Sequence, residues 1–425
     1  MPHRAVLVLV CAAQFLCVLD DTIVNVALPS IQRGLGFSAA NLPWVVNAYL
    51  VSFGGLLLLG GRAADLFARR AVFLTGLAVF GTASLVCGFA ETPGALVGAR
   101  IAQGAGAAFM SAAALAILSV TFTGAARHRA FGVWGGLSGV AGALGMLLGG
   151  ALTTWLSWRW VFLLNVPVVL LVAVLGPRFL PAARSAKGAT LDPFGAITAT
   201  GGLGLLILAI AQARVAGWGS GSTLGCLAGA AVLLAGFLVI ESRHRAPLVP
   251  LHVFRLRTVG GGIACGLLLA GAMLALFFFL TLYLQRVLGY RPLQAGLAYL
   301  PMSLTVLLVA GFAARVIHRF GHRAPLITGF TLIAAALLWF ARLPAGGGYL
   351  AHVLGPALLA GAGLGTTLVG VVTVTTAELG GDGTAGLASG LVNTTQQLGG
   401  ALGIAALSAI TFTTAEAAPA VLAAG

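Results

Sequence analysis

Leu66-Phe-Ala-Arg-Arg-Ala-Val-Phe-Leu-Thr-Gly76 recurs in register as Arg319-Phe-Gly-His-Arg-Ala-Pro-Leu-Ile-Thr-Gly329. Phe, Arg, Ala, Thr and Gly hold matching places in both copies. Each copy follows one long apolar stretch and opens another, so each marks a turn between two hydrophobic helices. Repeats on the same side of a membrane mean two parallel halves related by an axis along the membrane normal.

A spanning helix needs about 20 apolar residues. Thirteen stretches qualify: 5–29, 44–64, 71–91, 94–120, 131–156, 160–180, 193–213, 222–241, 260–286, 293–315, 324–342, 349–375 and 386–412. The halves then run over 1–180 and 259–425. The segment 181–258 between them carries two inserted spans that belong to neither copy. The second half has five spans where the first has six. A fourteenth span is therefore expected past Gly425, and the chain as it stands should end outside.

Composition agrees with a bilayer as the solvent. Of 425 residues, 60% are hydrophobic and 8% are charged. A soluble domain carries about 25% charged residues and could not cover its surface with so few. The fold class is all-α and polytopic. The net charge of +14 is scattered among apolar spans and forms no basic domain, which argues against nucleic acid as a partner. Sixteen Lys and Arg fall on one side of the spans and six on the other. The excess puts the N-terminus in the cytoplasm of a multi-pass cell-membrane protein.

The five cysteines lie in apolar spans without metal-ligand spacing, and the histidines lie mostly in loops. No metal site is expected. Lys187, the only lysine, is followed by Gly188, whereas a phosphate-binding loop needs Lys before Ser or Thr. The chain therefore has no ATP site of its own. Any pumping draws on an ion gradient or on a separate ATPase subunit, with the lipid bilayer as a partner and no cofactor. No nucleophile, base and metal-ligand set clusters as an enzyme requires.

A few polar residues break the apolar spans. Asp20 and Asp21 sit in span 1, and an ionised carboxylate there costs roughly 2.5–3.5 kcal/mol on insertion scales. Each must face water, find a partner or bind a proton, unless it lies near the interface. Arg100, in span 4, lies at a depth like that of Asp20. Pairing favours the ionised acid and loss of the partner favours the protonated one, which is the basis of a proton switch. A static buried pair is the other reading. Gly61, Arg62, Asp65, Arg69 and Arg70 crowd the short loop after span 2, where Asp65 can pair or meet a helix N-terminus in one conformer only. Gly142, Gly145, Gly149 and Gly150 belong to a glycine series in span 5 that allows a close, bendable seam. Gln14, Asn25, Asn47, Gln103, Gln285, Asn393 and Gln397 either line a substrate cavity or hydrogen-bond between helices.

Taken together, these segments resemble the fourteen-span drug:proton antiporters of the major facilitator superfamily, over nearly the whole chain. Leu19-Asp-Asp-Thr-Ile-Val-Asn-Val-Ala-Leu-Pro29 looks like the family's span 1 signature, and Gly61 to Arg70 like its inner-loop motif. Arg100-Ile-Ala-Gln-Gly-Ala-Gly-Ala-Ala108 looks like its proton-coupling motif. Trp158-Arg-Trp-Val-Phe-Leu-Leu-Asn-Val-Pro167, Tyr283-Leu-Gln285 and Asn393-Thr-Thr-Gln-Gln-Leu-Gly-Gly400 are similar to further family stretches. The chain departs from the pattern at Leu66, Ala68 and Met146, the last replacing a proline that kinks span 5.

The resemblance implies two helical bundles around a central cavity and proton-driven export of small, amphipathic molecules such as antibiotics by a monomer. Asp20 and Arg100 would couple the proton, and Gly61 to Arg70 would gate. Export of an endogenous metabolite and import by the same fold are the neighbouring alternatives. A non-transporting membrane receptor is the alternative of another class.

Overall fold

Backbone N–H and C=O groups find no water inside a bilayer, so long apolar stretches must satisfy them internally, as helices do. In a computed structural model describing residues 2–181, 192–243, 257–321, 323–344, 347–377 and 385–415, each of the thirteen expected spans lies on helix. The N-terminal helices are α1 (Pro2–Leu35), α2 (Trp44–Leu66), α3 (Arg69–Gly88), α4 (Pro93–Thr121), α5 (Gly124–Trp155), α6 (Trp160–Leu163) and α7 (Asn165–Phe179). A pair follows, α8 (Pro193–Ala216) and α9 (Gly221–Arg243). Then come α10 (Arg257–Leu282), α11 (Pro292–Ala298), α12 (Leu300–Phe320), α13 (Arg323–Phe340), α14 (Leu354–Ala377) and α15 (Ala385–Ala415). Single π-helical turns, Tyr283–Val287 and Tyr349–Val353, extend α10 and precede α14.

Eleven helical stretches among the described residues are long and apolar enough to cross a membrane. On α5 the apolar stretch so identified is the shorter Val140–Trp155, and the span expected on α15 is not among the eleven. The outward faces are apolar: Leu171, Val174, Phe194, Leu308 and Leu350 are all more than half exposed. Such faces are stable against lipid and would not be against water.

Three boundaries differ from the sequence reading. The span at 160–180 is interrupted at Leu164, where α6 gives way to α7. Pro167 explains the break, because it has no N–H to offer the carbonyl one turn back. The span at 293–315 breaks at Tyr299. The motif from Gly61 to Arg70 is not a loop, since α2 runs on to Leu66 and α3 starts at Arg69. Nothing between 61 and 66 breaks a helix, and the polar residues end the apolar span without ending the helix.

The end residues of the repeat do matching work. A Cβ on Gly76 of α3 would meet Met110 N at 2.5 Å and Gly106 O at 2.8 Å on α4. A Cβ on Gly329 of α13 would meet Thr367 N at 3.0 Å and Gly363 O at 3.1 Å on α14. In both halves a glycine facing a glycine lets two backbones touch, the packing that membrane helices favour. The inserted α8 and α9 pack on each other, and α8 also packs on α2 and α15.

Candidate functional site

Asp20 of α1 is fully buried, as is Arg100 of α4, and Arg100 Nη1 forms an ion pair with Asp20 Oδ2. The other carboxylate oxygen accepts from Gln103 Nε2 at 2.8 Å and from Asn165 Nδ2 at 3.0 Å. Three helices meet at this one carboxylate: α1 carries it, Arg100 and Gln103 reach it one turn apart from α4, and Asn165 opens α7. Ser84 of α3 ties the amides together, accepting from Gln103 at 2.8 Å and from Asn165 at 3.3 Å. The interruption at Leu164 starts α7 at Asn165, within reach of the acid.

The guanidinium is held from its other sides. Nε donates to Val45 O at 2.8 Å and Nη1 to Gln103 Oε1 at 2.8 Å. Its carbon stands 4.2 Å from the centre of the Tyr49 ring, a cation–π distance. A buried ion pair offsets its desolvation only when further hydrogen bonds satisfy the remaining donors and acceptors. Here the carboxylate has three donors, and the guanidinium has two carbonyl acceptors and an aromatic face. The arrangement can hold an ionised acid where no water reaches. It can also accept a proton in exchange for the arginine.

Asp21, the next residue, points elsewhere. Its Oδ2 accepts from Gln397 Nε2 of α15 at 3.2 Å, and Asn25 Nδ2 donates to its backbone oxygen at 2.7 Å. Successive helix residues are about 100° apart, so one acid faces the helices of its own half and the other faces α15.

The remaining sequence candidates are dispersed. Gln14 accepts from Ser111 Oγ at 3.1 Å, helix to helix within the first half. Asn47 is buried with its Oδ1 unpartnered, and Asn393 is half-buried. Gln285 donates to Val26 O at 2.7 Å. Beside it Arg286 bonds Gln32 Oε1, and Leu293 N donates to Thr154 Oγ1 at 3.0 Å. These contacts join the ends of α1 and α5 to the start of the second half.

The glycines of α5 split between two neighbours. A Cβ on Gly145 would run into Thr22 Oγ1, and one on Gly149 would meet Ile23 O at 2.6 Å, both on α1. One on Gly150 would meet Pro292 O at 2.5 Å and Leu293 Cα at 2.8 Å, on α11. Gly142 has open space beside it and adds nothing to the seam. At the other end of the bundle, Arg70 Nη1 donates to Pro177 O at 2.9 Å. Arg62 and Arg69 are half-buried, Gly61 borders open space, and the side chain of Asp65 lies outside the described residues.

Sequence reasoning did not single out Asn165, Ser84 or Tyr49 as part of this site. Asn165 was visible as an amide inside the stretch from Trp158 to Pro167, but nothing local distinguishes a hydrogen bond to Asp20 from one to any other helix.

The model of the Major Facilitator Superfamily matches residues 10–404. A cephamycin export protein of Amycolatopsis lactamdurans is 43% identical over 423 residues, covering 98% of this chain and 87% of that protein. A puromycin resistance protein of Streptomyces alboniger is 42% identical, covering 95% and 81%. Among solved structures, a bacterial homologue of the human lysosomal transporter Spinster, inward-facing and unoccupied, superposes with a TM-score of 0.67. It is 17% identical, and the match covers 98% of this chain and 83% of that one, a likeness of fold.

Proposed function

The chain belongs to the Major Facilitator Superfamily, and we propose that it exports small, amphipathic molecules such as antibiotics across the cell membrane in exchange for protons. The substrate class is supported by relatives named for cephamycin export and puromycin resistance at 43% and 42% identity. Proton exchange rests on one observation: the buried Asp20 held by Arg100, Gln103 and Asn165.

The coupling step follows from that geometry. A proton arriving at Asp20 cancels the charge that holds Arg100. The guanidinium keeps Val45 O and Gln103 Oε1, which offset part of the cost of losing its anion. Separation loosens α1 from α4, and loss of the proton restores the pair. A switch requires that both forms of the site be populated.

With the N-terminus in the cytoplasm, the contacts Gln285–Val26, Arg286–Gln32 and Leu293–Thr154 close the outer end. Substrate would then enter from the inner side, and these contacts must break for release. The charged residues from Gly61 to Arg70 lie at the inner end and would stabilise the opposite conformer. The chain works as a monomer with no cofactor beyond the proton gradient.

The test is uptake into inverted membrane vesicles with an imposed pH gradient, using puromycin and a panel of amphipathic dyes. Accumulation that needs the gradient, and that collapses with a protonophore, is expected. Uptake indifferent to the gradient would overturn proton exchange, and the absence of uptake for every compound would overturn export.

A further inference from the structure

α1 carries a second carboxylate that the Asp20 network leaves out. Asp21 Oδ2 accepts from Gln397, but its Oδ1 is buried with no hydrogen-bond partner. One turn on, Asn25 is fully buried, and its Oδ1 is likewise without a partner. Residues four apart lie on one face of a helix, so the two side chains are neighbours.

The amides beside them are turned to other acceptors and make no hydrogen bond to these two oxygens. Asn25 Nδ2 is committed to Asp21 O at 2.7 Å, which also fixes the amide's orientation, because a backbone carbonyl only accepts. Gln397 Nε2 is committed to Asp21 Oδ2. Close packing holds Gln397 in place, since a Cβ on Gly54 of α2 would meet the Gln397 Cβ at 2.9 Å. The guanidinium of Arg100 is occupied by Asp20, Val45 and Gln103. What this face of α1 offers a ligand is two oxygen acceptors, one of them a carboxylate's. Buried acceptors without donors are costly, and a group that satisfies them gains accordingly.

We propose that Asp21 Oδ1 and Asn25 Oδ1 form a subsite for a protonated amine of the substrate, so that Asp21 determines specificity for cationic compounds. An ammonium brings both the charge and the N–H donors that the site lacks. A neutral apolar group would leave both oxygens unpaired, and an anion would be repelled. The subsite lies where α1 meets α15, so its occupant touches both halves. The assignment rests on the export reading, because it names the class of molecule carried.

The test compares puromycin with N-acetylpuromycin, which lacks the charged amine, in calorimetric binding to the purified full chain in lipid nanodiscs. Wild type should bind puromycin about tenfold more tightly, the scale of a hydrogen bond to a charged group. Asp21→Asn should bind the two compounds alike, and Asn25→Ala should lose part of the preference. Should Asp21→Asn fail to fold, Asn25→Ala carries the test alone. Wild type that binds both alike or neither overturns the proposal, as does a full preference retained in a folded Asp21→Asn chain or, where that chain does not fold, in Asn25→Ala. The readout is binding at equilibrium. A wild type with the amine preference but no gradient-driven uptake would sink the export reading and leave the subsite standing.

Discussion

Asn165 donates to Asp20 Oδ1 at 3.0 Å, so the acid on α1 is gripped from α7 as well as from Arg100 on α4. The side chain that fixes the ion pair thus comes from beyond an interruption in a membrane helix. Hydropathy alone does not show that break, because Trp160–Phe179 reads as one continuous apolar span. The interruption gives the amide its place, and the amide joins Gln103 as a second donor to Oδ1.

Asp20→Asn is expected to abolish gradient-driven uptake into inverted vesicles. It also leaves Arg100 buried without its anion, a loss of about 3–5 kcal/mol when one partner of a buried pair is removed. Asp20→Leu combined with Arg100→Met should recover most of that stability while transport stays absent. Thermal unfolding in detergent reads the first quantity and vesicle uptake the second. Wild-type uptake in Asp20→Asn would remove this acid from the coupling step.

Asn165→Ala removes one donor from Asp20 and one from Ser84. We expect a stability loss of about 1–3 kcal/mol, the scale for a hydrogen bond to a charged group. Uptake should fall by roughly tenfold, the factor that about 1.4 kcal/mol represents. Asn165→Gln, which carries the same amide on a longer stem, should do little better, because the site is fully packed. Normal uptake in the alanine variant would make Asn165 a passive filler.

Asp65 stands in the last turn of α2, where the helix dipole disfavours an anion. Such a residue gains most from a partner beyond its own helix, and a contact made in one conformer would set the rate of switching. Asp65→Asn is therefore expected to slow turnover while equilibrium binding of substrate holds. A large loss of affinity at normal turnover would place Asp65 in the binding site instead.

Gly150→Leu should force α5 and α11 apart, because the atoms its side chain would meet, Pro292 O and Leu293 Cα, are backbone and cannot step aside. The closed end of the bundle should open. In a Thr154→Cys background, labelling by a membrane-impermeant maleimide from outside should rise several-fold over the Gly150 parent, a change of about 1 kcal/mol in the closed state. Unchanged labelling would mean that the two helices do not seal that end.

The helices and their spans were legible in the sequence because each is written locally. A bilayer forces any long apolar stretch to satisfy its own backbone, so composition alone fixes helix. The matched ends of the repeat, Gly76 and Gly329, could be aligned by eye, and the candidates Asp20 and Arg100 stood out as charges that lipid does not tolerate. Tertiary structure decided which of two adjacent acids meets the arginine. The angle between neighbouring side chains says that Asp20 and Asp21 face different ways, but the rotation of α1 about its axis depends on what packs around it. Gly145 and Gly149 bring α5 against α1, and Gly54 brings α15 against α2, and from these approaches the two acids acquire their different partners. Asn165 and Gln397 reach α1 from distant points of the chain, and only packing could bring one to Asp20 and the other to Asp21.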